Sequence, residues 1–200
     1  MASDTLYLAS ASPRRRELLD QIGVRYELKP VAVDESRQPR EAARDYVLRL
    51  ARAKAETAWA LIAREKAVAV LAADTAVVVG DSILGKPCDR ADALAMLEKL
   101  SARTHDVLTA VALLSSRGLH TRVNSSRVTF RAVLPDEAER YWETGEPGDK
   151  AGAYAIQGYG AVFIAALEGS YSGVMGLPLR ETAELLTQAR IGTWTHIQES

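Results

Sequence analysis

Apolar and polar positions along this chain follow two periods in turn. Runs at Leu6–Ala9, Val68–Ala72, Ala76–Val79, Val107–Leu114, Arg122–Val133 and Ala161–Leu167 read as strands, most clearly where they are β-branched. Between them the spacing is helical. Ser12 is placed to cap a first helix with Pro13 in its first position; Leu18, Leu19 and Ile22 give it a buried stripe, and Gly23 ends it. Further helices are predicted over roughly 40–65, 90–100, 135–144 and 178–190. Strands alternating with helices argue for an α/β fold rather than a bundle or a sandwich. Gly80-Asp81, between two apolar runs, marks a hairpin turn, so the sheet is expected to be mixed. The stretch DKAGAYAIQGYG, Asp149 to Gly160, is the one long irregular segment, of the kind that carries function.

Composition narrows the classes. No repeat and no linker rich in Gly, Ser or Pro divides the 200 residues, which are expected to form a single domain, 1–200, able to bury roughly 70% of its unfolded surface. With 48% hydrophobic and 26% charged residues, the chain is neither disordered nor fibrous. A formal net charge of -1 gives no general drive toward nucleic acid or an anionic membrane, so any anion site must be local. The single cysteine, Cys88, excludes an intramolecular disulfide, fits a reducing compartment and reads as a packing residue or a bystander. The start MASDTLYLAS lacks the features of a signal peptide, and no segment approaches about 18 uninterrupted apolar residues, so a soluble cytoplasmic protein is expected. His105, His120 and His196 have no metal-ligand spacing, and Trp59, Trp142 and Trp194 read as packing.

Several charged residues stand where pattern alone does not place them. Arg14, Arg15 and Arg16 open the first helix, although each cation at a helix amino terminus is unfavourable by about 0.3–1 kcal/mol unless an anion answers it. Either this is a solvated basic turn, or amide N–H groups, a serine hydroxyl and guanidinium forks there receive a phosphate. Lys54 falls on the helical stripe of Val47, Leu50, Ala58 and Leu61, so it either snorkels to the surface or aims its ammonium at a polyanion. Asp74 and Thr75 interrupt the apolar run VLAADTAVVV. That carboxylate is either an Asx-type turn between two strands or a metal ligand and general base whose affinity for protons burial raises. Lys86, in Gly85-Lys86-Pro87 just past the hairpin, is weak evidence by itself, since neither GxxxxGK[ST] nor GxGxxG is present. Asp34-Glu35 is either solvated loop or a second acidic site that joins Asp74 around a hard cation. With the glycine loop carrying Gln157, these make the inventory of a triphosphate site. No GxSxG elbow points to serine catalysis.

Taken in order, LASASPRRRELL, LARAKA, AADT, GKP, THDVLTAV, DKAGAYAIQG and GSYSGVMGLPL make the chain resemble the Maf family over nearly its whole length. The resemblance implies a mixed twisted sheet flanked by helices, with a nucleotide cleft bounded by the first strand-helix turn, Asp74 and the Asp149–Gly160 loop, of Maf or ITPase-like type. It implies cleavage of a nucleoside triphosphate between the α- and β-phosphates, with a divalent cation, Mg²⁺ or Mn²⁺. On this resemblance Asp74 is the proton acceptor, Ser10, Arg15, Lys54 and Lys86 face phosphate, and Glu35 joins Asp74 near the metal. Arg14, Thr75 and Gln157 match the branch acting on dTTP and UTP rather than the one acting on 7-methyl-GTP, and a homodimer is what the family suggests. The Gln157 amide has both the donor and the acceptor that uracil or thymine requires. The alternatives are an ITP- or 7-methyl-GTP-type pyrophosphatase and a nucleotide-sensing regulator of division without turnover. Ala72 and Ala155 replace glycines common in the family, and would strain the chain if those positions needed a positive φ.

Overall fold

A computed structural model describes residues 5–62 and 68–194. His196, the residues before Thr5 and the expected helix end near residue 65 lie outside these described residues. Seven strands form one mixed sheet: β1 (Thr5–Leu8), β2 (Glu27–Leu28), β3 (Val68–Val79), β4 (Ser82–Leu84), β5 (Thr104–Ser115), β6 (Gly118–Phe130) and β7 (Ile164–Glu168). Their order is β2-β1-β3-β5-β6-β7, with β4 paired to β3. The helices are α1 (Pro13–Gln21), α2 (Ala43–Ile62), α3 (Arg90–Leu100), α4 (Pro135–Glu143), α5 (Tyr171–Met175) and α6 (Leu179–Gln188). No described helix is long and apolar enough to cross a membrane.

β1 runs parallel to both β2 and β3, in the register Leu6 to Ala69 and Leu8 to Leu71. β3 turns back antiparallel into β4, with Val79 opposite Ser82. Gly80, at φ 55°, supplies the left-handed turn residue there, as the sequence predicts. β3 itself corrects the sequence reading. The two expected strands are one, and Asp74-Thr75 lies inside it with no turn. Burying a carboxylate in an apolar strand is costly unless it is paired, and Asp74 is paired with Lys54.

The chain divides into two compact units that interleave along the sequence. The first comprises Met1–Asp74, Thr109–Asn124 and Gly176–Ser200, and the second Thr75–Leu108 and Ser125–Met175. In the first, Leu6, Leu8, Leu19, Val47, Leu50 and Leu71 are essentially buried. In the second, Leu97, Leu100, Val107, Val128, Phe130, Tyr154 and Phe163 share one core cluster.

Other corrections are local. Ser12 stands at the N-cap of α1, but its side chain makes no capping bond; its N–H donates to Ser10 Oγ at 3.2 Å. Leu61 is exposed and Ile62 takes the buried position at the end of α2. Cys88 and Trp194 are exposed, so neither packs. The irregular glycine stretch is a chain of short 3₁₀ turns at Glu146–Asp149, Ala151–Ala153 and Tyr159–Phe163. Ala72 and Ala155 both have ordinary negative φ; the strained alanine of this loop is Ala153, at φ 58°.

Candidate active site

Five segments of the first unit bring polar and charged side chains together. The loop after β1 carries Ser10, which is buried to 7% exposure. One turn into α1, Arg15 bridges back: its Nη1 donates to Ser10 Oγ at 3.1 Å and its Nε donates to the Gly176 carbonyl at 2.8 Å. Ser10 therefore serves as an acceptor that fixes a guanidinium. Burial pulls the Arg15 guanidinium below its ordinary range, with Asp74 opposing that shift, Arg14 adding to it and Glu35 opposing it.

α2 delivers Lys54 from the stripe position seen in the sequence. Its neighbours Ala51, Ala55 and Ala58 are fully buried, and the lysine reaches inward rather than to the surface. Lys54 Nζ lies 2.6 Å from Asp74 Oδ1 on β3 and 2.6 Å from Glu35 Oε1 on the loop before α2. Two carboxylates thus converge on one ammonium. Asp74 is 7% exposed, and burial pushes its carboxyl above the usual aspartate range, with Lys54 and then Arg15 pulling it back and Glu35 adding to the rise. The net direction is toward a carboxylate that takes a proton more readily than a solvated one.

Glu35 is held from its backbone. Tyr46 Oη donates to the Glu35 carbonyl at 2.9 Å, and Arg49 Nη2 donates to the Ser36 carbonyl at 3.0 Å. Arg49 also forks onto Glu41, at 2.6 and 2.8 Å, which ties the acidic loop to the helix that carries Lys54. Sequence reasoning missed Tyr46, Arg49 and Glu41; Glu41 precedes α2 and stands eight residues from Arg49, beyond the three- and four-residue spacings at which a helix pairs side chains. Asp34, by contrast, is spent locally, accepting from the Ser36 N–H at 2.9 Å.

Thr75, Lys86 and Gln157 belong to the second unit. Thr75 follows Asp74 on β3 and is half-buried. Lys86 is exposed just after β4, where the Gly85 carbonyl accepts from the Gly152 N–H at 3.0 Å. Gln157 is exposed at the turn between Ile156 and Gly158.

The donor set suits a hard divalent cation. Glu35 and Asp74 offer two carboxylates already gathered around a positive charge, and magnesium or manganese is bound by one or two carboxylates completed by waters and phosphate oxygens. No group of three or more His, Cys, Asp or Glu residues among the described residues makes an all-protein cage.

The chain is 54% identical to a dTTP/UTP pyrophosphatase of Cupriavidus pinatubonensis, over 94% of this chain and 98% of that protein. It is 48% identical to one of Hahella chejuensis, over 95% and 94% respectively. A nucleoside-triphosphatase / dITP/XTP pyrophosphatase structure from Mycobacterium abscessus aligns over 93% of this chain and 96% of its own, but with a TM-score of 0.43 and 16% identity that likeness is too distant to carry an argument. A family model described as Maf-like protein matches residues 5–189, and with it the chain belongs to the Maf family.

Proposed function

We propose that this chain is a nucleoside triphosphate pyrophosphatase that hydrolyses dTTP and UTP to the monophosphate and pyrophosphate. One observation carries the reading: Arg15, Lys54, Glu35 and Asp74 share one charged neighbourhood, in a chain whose relatives at about half identity are named for that activity.

Water is the nucleophile. Its oxygen attacks the α-phosphorus, the bond from that phosphorus to the bridging oxygen breaks, and pyrophosphate leaves with the bond's electrons. Asp74 orients the water and takes its proton. Arg15 and Lys54 hold the negative charge that grows on the leaving group, where fixed cations act most strongly. A triphosphate also competes with Asp74 for the Lys54 ammonium. As that ammonium turns toward phosphate, the Asp74 oxygen it held is released to accept from the water. Glu35 and Asp74 are the residues that would hold a divalent cation, which would supply charge neutralisation at the phosphates. Ser10 binds and orients through Arg15. Lys86 as a phosphate contact, Arg14, Thr75 and Gln157 as selectors of the pyrimidine branch, cytoplasmic residence and a homodimer are carried by the family resemblance.

The test is a panel of nucleoside triphosphates assayed for pyrophosphate with magnesium or manganese. The reading requires dTTP and UTP to lead. ITP or 7-methyl-GTP ahead by about tenfold would reject the pyrimidine assignment, since sites built to bond a base edge discriminate by far more than that. Binding with no pyrophosphate under any divalent ion would make the protein a nucleotide sensor.

A further inference from the structure

One carboxylate gathers the backbone on the carboxyl-terminal side of Gln157. Glu146 Oε2 accepts from the Tyr159 N–H at 2.9 Å, and its Oε1 accepts from the Gly160 N–H at 3.0 Å. The same Oε1 accepts from the Tyr141 hydroxyl at 2.6 Å. That hydroxyl in turn accepts from the Ala155 N–H at 3.1 Å, on the amino-terminal side of Gln157. Both flanks of the exposed Gln157 are thereby fastened to one Glu146–Tyr141 pair. Tyr141 is 4% exposed on α4 and packs edge-on to Phe163, with ring centroids 5.2 Å apart. Burial, and then the bond to Glu146, push its phenol far above the ordinary range, so it stays protonated and keeps donating.

The chain passes too close to this pair for ordinary side chains. A Cβ at position 158 would collide with Glu146 Oε2, and one at position 160 would lie 2.6 Å from the Tyr141 hydroxyl. The glycines of the loop at 158 and 160 are therefore there for close approach to Glu146 and Tyr141. Nothing in the proposed hydrolysis uses either residue.

We propose that Glu146 and Tyr141 are positioning residues that set base selectivity by fixing the backbone on both sides of Gln157. The inference rests on the reading of Gln157 as the residue that meets the base. A glutamine amide that turns over presents its donor and acceptor in the opposite order, which suits cytosine instead of uracil. Discrimination between those bases therefore needs a held amide, and a held amide needs a held backbone. Small misplacements of such a group have large effects on turnover.

The test uses the full-length protein and the pair UTP and CTP, which differ only on the edge read. In Glu146→Gln, one acceptor oxygen becomes a donor that opposes a backbone N–H. In Tyr141→Phe, the Ala155 N–H loses its partner. Either variant, folded by circular dichroism, is expected to lower the UTP-over-CTP ratio of kcat/KM by about tenfold, mainly through a higher KM for UTP. On a Gln157→Ala background, Glu146→Gln should change that ratio by less than about twofold, because residues acting through one another do not add. Equal losses for UTP and CTP in both single variants, or an undiminished effect of Glu146→Gln without Gln157, would overturn the inference and leave the dTTP/UTP reading standing. A wild-type protein with no preference for UTP, or a Gln157→Ala variant with an unchanged ratio, would instead overturn the base assignment and this inference with it.

Discussion

Lys54 Nζ and Asp74 Oδ1 lie 2.6 Å apart, with the lysine side chain 11% exposed and the aspartate side chain 10% exposed. The pair is tight, nearly dry and shared with Glu35; burial raises the proton affinity of Asp74, and Lys54 is the strongest influence against that rise. Replacing Lys54 by Met removes the largest influence that keeps this carboxyl ionised. Its pKa, already above the usual aspartate value, then rises further, so the acid limb of the kcat/KM profile moves to higher pH. A pH-rate profile of the residual activity checks this, and an unmoved limb would mean that Asp74 is not the titrating base.

Arg15 is a geometric device as well as a charge. Its Nη1 and Nε are engaged by Ser10 and the Gly176 carbonyl, which leaves the rest of a planar fork fixed in orientation. Arg15→Lys keeps the charge and loses the fork. The expected outcome is a fall in kcat/KM of about 10²–10³, the usual loss for one preorganised charged contact. Full activity in the lysine variant would reduce Arg15 to a structural tie.

His105 is 2% exposed, its Nε2 shares a 2.9 Å hydrogen bond with the Tyr154 hydroxyl, and its ring meets Phe130 and Tyr154 edge-on. Burial lowers its pKa to about 4. The folded state therefore binds this proton later than the unfolded chain does, and stability falls as pH drops from about 6.5 toward about 4. Denaturant titrations of wild type and His105→Gln across that window should show a steeper loss for wild type. Parallel curves would place the acid sensitivity elsewhere.

Ser126 is 1% exposed on β6, and its Oγ accepts from the Ser170 N–H at 2.9 Å. Ser126→Ala strands that backbone donor in a part-buried turn and is expected to cost about 1–3 kcal/mol, read as a lower urea midpoint with an unchanged slope. A midpoint equal to wild type would show that solvent satisfies the amide.

The elements most legible in the sequence are those whose own period carries the signal. α3 and α4 lie where helical spacing places them, and Gly80-Asp81 turns the chain as a short glycine-acid hairpin must. Lys54 stood out because a lysine on an apolar stripe needs a partner, and the partner proved to be Asp74, the other misplaced charge. What the pattern could not show was that these two oddities cancel: their pairing spans twenty residues and depends on how α2 meets β3. The same long-range pairing offsets the cost of burying Asp74 in its strand. Ser10 was reached only through the family resemblance, since a serine beside other serines has no signal until Arg15 folds back on it. Glu146 was invisible for a similar reason. It stands before Pro147 as any solvated turn acid would, and its importance lies in N–H groups thirteen and fourteen residues away.

Hydrolysis in heavy-oxygen water tests the central claim most directly, because it reports which phosphorus the water attacks. With dTTP as substrate, the label should appear in the nucleoside monophosphate and be absent from pyrophosphate, and Asp74→Asn should fold normally yet lose nearly all of this incorporation. Label recovered in pyrophosphate, or near-normal labelling by Asp74→Asn, would contradict attack at the α-phosphate by water that Asp74 activates.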